Sequence, residues 1–260
     1  MSTVASKFFL LFFILVSFSA CKKDDEQPVE EDPFAENRKA LGASSEDLLS
    51  SDFYKTLTVE LVYSEIYRPT QTAIDNLRTF LMERVNKPQG INFVETLVPE
   101  QPNDPFTIQE IRDIEDQLRT KYTEGNNIAV YLFFSNGSST NDTPTTVTLG
   151  TAYRNTSIVI YERTLQVISN NDEELLSIIE STTMNHELGH ILGLTNISGD
   201  DIHAEHEDQS NLKHCFIEEC LMYFDATSVT RSMIERMKGR MMIPQLDPLC
   251  IEDLQAKGGL

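Results

Sequence analysis

Residues 186–196 read HELGHILGLTN, and this stretch decides the fold. The residues before it, from Leu175 onward, place apolar side chains at helical spacing. His186 and His190 are then one helical turn apart and face the same direction, with their side chains about 6 Å from each other. Gly193 permits the left-handed turn that ends a helix. We therefore predict a long helix that presents two neighbouring imidazoles near its C-terminal end.

Histidine is concentrated around this stretch. All five histidines of the chain lie between His186 and His214. Two imidazoles one turn apart can bind the same Zn²⁺ ion, each at about 2.0–2.1 Å. Glu187, between them, can reach the open side of such a metal and accept a proton from bound water. The pattern predicts one catalytic zinc ion, with His186 and His190 as ligands and Glu187 as general base.

A catalytic zinc ion commonly has three protein ligands and keeps one position open, so a third ligand is needed. The stretch resembles the metzincin signature HExxHxxGxxH, but Asn196 occupies the position of the third histidine. Residues 214–222 read HCFIEECLM. With the first stretch they resemble the archaemetzincins, in which Gly-Leu-x-His-Cys-x4-Cys-x-Met follows the helix motif directly. Here an insertion, roughly residues 195–213, splits the motif.

The resemblance covers about residues 146–225 and implies a zinc-dependent endopeptidase. It implies His214 as the third ligand and Met222 as the Met-turn that packs beneath the metal. It also implies an α+β, zincin- or metzincin-like fold: a mixed twisted sheet with helices, a long active-site helix and a small C-terminal subdomain. In that layout an edge strand, here within Thr146 to Arg154, pairs with an extended peptide substrate.

Alternatives remain open at this stage. His206 lies in an acidic loop and competes with His214 for the third ligand position. Asn196 favours a non-catalytic surface lipoprotein that binds zinc and uses the same fold for binding, whereas the presence of Glu187 favours catalysis. A further alternative is an adhesive lipoprotein whose histidines bind metal only incidentally.

Three cysteines follow the helix motif: Cys215, Cys220 and Cys250. In an oxidising compartment two of them can pair. Their closeness in sequence favours a Cys215–Cys220 disulfide, although Cys250 could pair with either. Archaemetzincins carry further cysteines for a second, structural zinc ion. Only Cys250 lies downstream here, and a single zinc ion is therefore expected.

The N-terminal residues have the pattern of an export signal. Lys7 precedes an apolar run, Phe8 to Val16, that is too short to span a bilayer. Small residues lead into Cys21, which resembles the lipobox of bacterial lipoproteins and implies a lipid on that cysteine. The basic and then acidic residues after it resemble a signal for the cell surface. We expect a lipoprotein signal peptide over residues 1–20 and a surface-exposed outer membrane lipoprotein; the alternative is an ordinary signal peptide with a chance cysteine.

Composition then divides the rest of the chain. Residues 21–55 are rich in Asp, Glu, Ser and Pro and are expected to form a flexible acidic tether. Residues 56–260 are expected to form one metallopeptidase domain. The protein is expected to be a monomer. The net charge of -20 repels phosphate backbones and makes nucleic acid an unsuitable partner. The expected partners are a peptide or protein substrate and, through the lipid, a membrane.

The periodicity of apolar residues predicts the order strand, helix, strand, helix, three strands and then the long helix. The predicted strands are 57–63, 91–98, 127–134, 146–152 and 157–162, and the predicted helices before the long one are 72–85 and 107–122.

Overall fold

A mixed sheet lies at the centre of the fold. The computed structural model describes residues 32–170, 172–223, 228–230 and 242–260. The strands are β1 (Thr56–Tyr63), β2 (Ile91–Leu97), β3 (Asn127–Phe134), β4 (Thr146–Thr148), β5 (Gly150–Arg154), β6 (Ser157–Ile160) and β7 (Ser228–Thr230). Within the described residues the main sheet has five strands in the order β2-β1-β3-β6-β5, and β4 pairs with β7.

The pairing explains why the central strands are so apolar. Neighbouring strands from β2 to β6 run parallel, and β5 runs antiparallel to β6 at the edge. Parallel strands are covered by helices on both faces and are buried on both sides. Accordingly β3 is buried from Ile128 to Phe134, and β1 from Leu57 to Tyr63. The predicted strand over residues 146–152 is divided at Leu149, so that only its second part joins the main sheet.

Helices cover this sheet. They are α1 (Ser45–Leu49), α2 (Gln71–Arg84), α3 (Ile108–Leu118), α4 (Glu162–Ser169), α5 (Glu173–Ile191) and α6 (Pro248–Ala256). The expected mixed sheet with helices, and the long helix that carries HELGH, are confirmed. None of the helices in the described ranges is long and apolar enough to cross a membrane.

The long helix α5 is buried along most of its length and packs against α2, α4 and β5. Asp172 caps its N-terminus, and the Asp172 side chain accepts a hydrogen bond from Leu175 N at 3.0 Å. The helix ends in a Schellman turn, in which Leu194 N donates to Gly189 O and Gly193 N to His190 O. Gly193 has a φ of 84°, which only glycine adopts without strain. The chain therefore reverses immediately after the HELGH motif.

A pair of buried carboxyls ties α5 to its neighbours. Glu180 on α5 and Glu162 at the start of α4 are both fully buried and share a hydrogen bond. Glu180 also accepts hydrogen bonds from the backbone N–H and the hydroxyl of Thr70, the residue that caps α2. Burial raises the pKa of Glu180 to about 7, and burial together with the Glu180 charge raises the pKa of Glu162 well above its usual range. Burial therefore favours the protonated form of both carboxyls in the folded protein.

The predicted tether is wrong from residue 33 onward. The compact unit begins at Pro33, and α1 buries Leu48 and Leu49 almost completely. Asn37 is also buried, and its amide donates to the carbonyl of Ala129 on β3 at 3.1 Å. Average composition missed this because a few apolar side chains and one well-placed amide are enough to attach a short segment. The predicted signal peptide and Cys21 lie outside the described residues.

Candidate metal centres

The histidine centre consists of His186, His190 and His214. The first two lie on α5, and the third follows the insertion. The Nε2 atoms of His186 and His190 are 3.0 Å apart, and the ring of His214 lies 5.3 Å from both of their rings. Two nitrogens bound to one tetrahedral zinc ion would be about 3.3 Å apart. The three side chains are thus arranged as ligands of a single ion.

Backbone carbonyls orient two of the three rings. His186 Nδ1 donates to Leu221 O at 2.7 Å, and His214 Nδ1 donates to Leu212 O at 3.1 Å. This leaves Nε2 of each ring for a metal, and a carbonyl partner of this kind is typical of zinc-binding histidines. His214 Nε2 is buried and has no hydrogen-bond partner among the described residues. The Nδ1 atom of His190 likewise lacks such a partner.

Burial keeps these imidazoles neutral. It lowers the pKa of His186 to about 3 and the pKa of His190 well below its usual range, and the neighbouring histidines act in the same direction. The pKa of His214 is lowered for the same reason. Neutral imidazole is the form that binds a metal ion.

Glu187 is fixed by one oxygen and open at the other. Its Oε2 accepts a hydrogen bond from Ala152 N on β5 at 2.7 Å, whereas its buried Oε1 has no partner in the described part of the chain. Gly150 makes room for it, because a methyl group there would lie 3.0 Å from Glu187 Cγ. Burial raises the pKa of Glu187 to about 8, and the Ala152 N–H opposes this. A divalent cation nearby would favour the carboxylate.

Met222 lies beneath the histidine centre, where the Met-turn was predicted. Its Sδ atom packs against Gly189, and a methyl group on that glycine would overlap the sulfur. Leu221, one residue earlier, is the carbonyl partner of His186. The turn therefore supports both the helix and the ring of His186, one of the candidate ligands.

The insertion determines which residue takes the position of the third ligand. Asn196 has a φ of 59° and belongs to the turn that follows α5. His206 lies away from the histidine centre, where its Nε2 contacts Asp253 Oδ2 on α6 at 3.0 Å. His203 is partly exposed and pairs with Glu252 at 2.7 Å. His214 is thus the histidine that the fold brings to His186 and His190.

The predicted Cys215–Cys220 disulfide is wrong. Cys215, Cys220 and Cys250 are all buried free thiols. The sulfur of Cys220 lies 3.7 Å from that of Cys250 on α6. The Nδ1 atom of His206 lies 3.6 Å from the Cys215 sulfur and 3.9 Å from the Cys250 sulfur. We call these four residues the thiol cluster.

Donor atoms in and beside the thiol cluster have the spacing of a zinc site: those of His206, Cys215, Cys250 and Asp247 lie within 4.8 Å of one another. Two sulfurs bound to one tetrahedral zinc ion at about 2.3 Å each would be about 3.7 Å apart. Asp247 Oδ2 lies 3.3 Å from the Cys215 sulfur and is a further oxygen donor at its edge. Hydrogen bonds from Cys220 and Cys250 lower the pKa of Cys215, and that contact raises the pKa of both donors. Hydrogen bonding with Cys215 raises the pKa of His206 to about 9.

The expectation of a single ion rested on counting cysteines, and the number of ions stays a prediction. His206, nine residues before Cys215 and within the insertion, lies beside the Cys215 sulfur as a further candidate donor. The sequence could have indicated His206 as a partner of the cysteines, since histidine and cysteine together are the usual ligands of structural zinc. The sequence alone could not predict that Cys250 joins the cluster, because its position depends on how α6 packs.

Comparisons with known proteins give one result on the fold. No family model matches the chain, and no curated protein matches it. A solved structure does. The fold is similar to that of archaemetzincin from Methanopyrus kandleri. The sequences are 16% identical, the match covers 78% of this chain and 96% of that chain, and the TM-score is 0.49. This similarity concerns the fold alone.

Proposed function

We propose that the chain is a zinc-dependent endopeptidase that hydrolyses peptide bonds at the histidine centre. The observation that carries the proposal is the buried, unpartnered Glu187 Oε1 on the turn of α5 that also carries two convergent imidazoles. When bound there, zinc supplies a Lewis acid for the peptide carbonyl and for water. A site that only held a metal would not need a buried carboxylate with one oxygen left open.

Glu187 acts as the general base and then as the general acid. Its Oε1 takes a proton from the attacking water and passes it to the leaving amine. The hydrogen bond from Ala152 N holds Oε2 and so fixes the direction of Oε1 during both transfers. The three histidines remain neutral and serve as ligands.

Strand β5 is the proposed docking site for substrate. It is the last strand of the main sheet, and within the described residues only β6 pairs with it in that sheet. An extended peptide can add to such an edge through backbone hydrogen bonds. Because Ala152 on β5 also holds Glu187, the strand that binds the peptide positions the base as well.

A second zinc ion belongs to the proposal. His206, Cys215 and Cys250 of the thiol cluster form, with Asp247, a group of four donor atoms within 4.8 Å of one another, and Cys220 adds a third thiol beside Cys250. Thiol and imidazole donors of this kind hold structural zinc. The non-catalytic alternative was motivated by Asn196, and a closed site that used both His206 and His214 would have supported it. His206 lies with the thiols instead, which supports the catalytic proposal.

Removal of metal tests the proposal directly. Purified protein should contain zinc and cleave an unfolded protein substrate. Treatment with a chelator should abolish cleavage, and zinc should restore it, because Glu187 has no electrophile to work with in the absence of metal. Cleavage that persists in fully metal-free protein would overturn the proposal, and so would zinc-loaded protein that cleaves no peptide bond.

We also propose that the chain is exported and anchored by a lipid on Cys21. The support is the sequence pattern of residues 1–21. In the native host, Cys21→Ala should release the protein from the membrane fraction, because a lipid is needed for anchoring. Asp24→Asn keeps the cysteine and serves as the control. Membrane attachment of the Cys21→Ala protein equal to wild type would contradict the proposal.

A further inference from the structure

We infer that metal binding at the thiol cluster sets the affinity of the histidine centre for zinc, with the insertion closing the cluster through His206. The inference rests on the two proposed metal centres and not on catalysis. It follows from one segment, residues 214–222, that both centres share.

The shared segment contacts the histidine centre at three points. His214 supplies the third imidazole, and the carbonyl of Leu221 orients the ring of His186 at 2.7 Å. Met222 packs under Gly189, between the two histidines of α5. Any displacement of the segment would therefore remove one ligand and release another from its hydrogen bond.

The thiol cluster holds the same segment at both ends. Cys215 directly follows His214, and Cys220 directly precedes Leu221. Both sulfurs lie within the cluster, and the two ends are joined by a hydrogen bond from Cys215 N to Met222 O at 2.8 Å. An ion bound by these two cysteines would fix both points from which the segment supports the histidine centre.

The other two donors connect the cluster to the rest of the fold. Cys250 lies on α6, and Asp253 on the same helix orients the fully buried ring of His206. Lys257, at the end of α6, donates to the carbonyl of Gly193, the residue that ends α5. The insertion is joined to α6 again through the ion pair between Lys257 and Asp201. The cluster thus links residues 214–222 to the helix that carries His186 and His190.

This arrangement produces thermodynamic coupling. Without an ion, only hydrogen bonds hold the three thiols and the imidazole together, and ordering residues 214–222 costs conformational entropy. With an ion in the cluster that segment is already ordered when His214 has to bind zinc. Coupling free energies between sites commonly correspond to about 5- to 150-fold in affinity, and the coupling is reciprocal. We expect a change of about 10- to 100-fold in both directions.

Titration of the full folded chain with Co²⁺ and Zn²⁺ tests the inference. Co²⁺ in the thiol cluster gives thiolate charge-transfer absorption, and Co²⁺ at the histidine centre does not, so the two centres are observed separately. Zinc affinity at the histidine centre is measured by competition with a chromophoric chelator. Cys250→Ser removes one cluster ligand and should weaken the histidine centre about 10- to 100-fold. Gln255→Ala, on the exposed side of α6, should leave both affinities at the wild-type value.

Two further variants make the result decisive. Asp253→Asn retains every ligand and should lower the metal affinity of both centres by a smaller factor. This variant keeps the test valid if Cys250→Ser reduces folding. His186→Ala, in the opposite direction, should weaken metal binding at the thiol cluster, because coupling between two bound ions is reciprocal. Loss of thiolate absorption in Cys250→Ser and Asp253→Asn with wild-type zinc affinity at the histidine centre would overturn the inference. Glu187→Gln should keep both affinities, so a failure of catalysis would not affect this result.

Discussion

Replacement of Glu187 by glutamine is expected to lower the rate of peptide hydrolysis by about a thousandfold, within the range that general acid–base catalysis contributes. Glutamine retains an oxygen that can accept the hydrogen bond from Ala152 N, so the geometry around β5 should be preserved. It has no carboxylate to take a proton from water. The histidines are untouched, and zinc content should stay at the wild-type level. The expected signature is therefore a loss in kcat with bound metal unchanged.

The control is Glu174→Gln, a change of the same chemistry on the exposed first turn of α5. It should leave both zinc content and cleavage at the wild-type level. Steady-state cleavage and metal analysis on the three proteins separate the possible outcomes. Equal activity of wild type and Glu187→Gln would show that another group handles the proton, and the proposed role of Glu187 would have to be abandoned.

The free energy of unfolding is expected to fall as the pH rises from about 4.5 to about 7, because of the carboxyl pair between Glu162 and Glu180. The pKa of Glu180 is raised from 4.5 to about 7 in the folded protein by burial. Over this range the folded pair retains a proton that the unfolded chain releases, so stability is fully present below the unfolded pKa and declines above it. A pKa difference of this size corresponds to roughly 3 kcal/mol. Arg68 acts in the opposite direction, but it is already paired with Glu95.

Urea denaturation of wild type and Glu180→Gln across this pH range provides the measurement. The amide can still accept from Thr70, so the variant should lose the part of the decline that Glu180 contributes, and the buried Glu162 should keep its own part. Titration of the histidines and cysteines contributes equally to both proteins and cancels in the difference between them. Glu174→Gln should follow wild type. Parallel curves for wild type and Glu180→Gln would show that Glu180 does not hold a proton in the folded state.

Much of the candidate active site could be predicted because its signal is local. His186, Glu187 and His190 lie within one helical turn, and helical geometry alone places them together. The strand over residues 127–134 was predicted at its observed bounds, because a central parallel strand is a continuous apolar run. Resemblance to a known motif, rather than spacing within this chain, identified His214 across the insertion.

The parts that were missed depend on contacts between distant residues. Cys250 lies 35 positions after Cys215, and no local pattern indicates that α6 brings it to the same cluster. The disulfide prediction considered only closeness in sequence, whereas the observed arrangement depends on His206 and on the packing of α6. Residues 33–55 were assigned to the tether because composition averages over the few side chains that anchor them. In each case a local sequence rule was applied where a contact between distant residues decides the structure.

The position of α6 along the chain also has a consequence for synthesis. When Met222 has left the ribosome, the nascent polypeptide already carries its complete HELGH helix, His206 and two of the three clustered sulfurs. The sulfur of Cys250 and the carboxylate of Asp253 emerge later, with the final helix that the structure describes. A growing chain therefore cannot complete the thiol cluster, and the inferred increase in zinc affinity at the histidine centre should arise only after α6 has been translated.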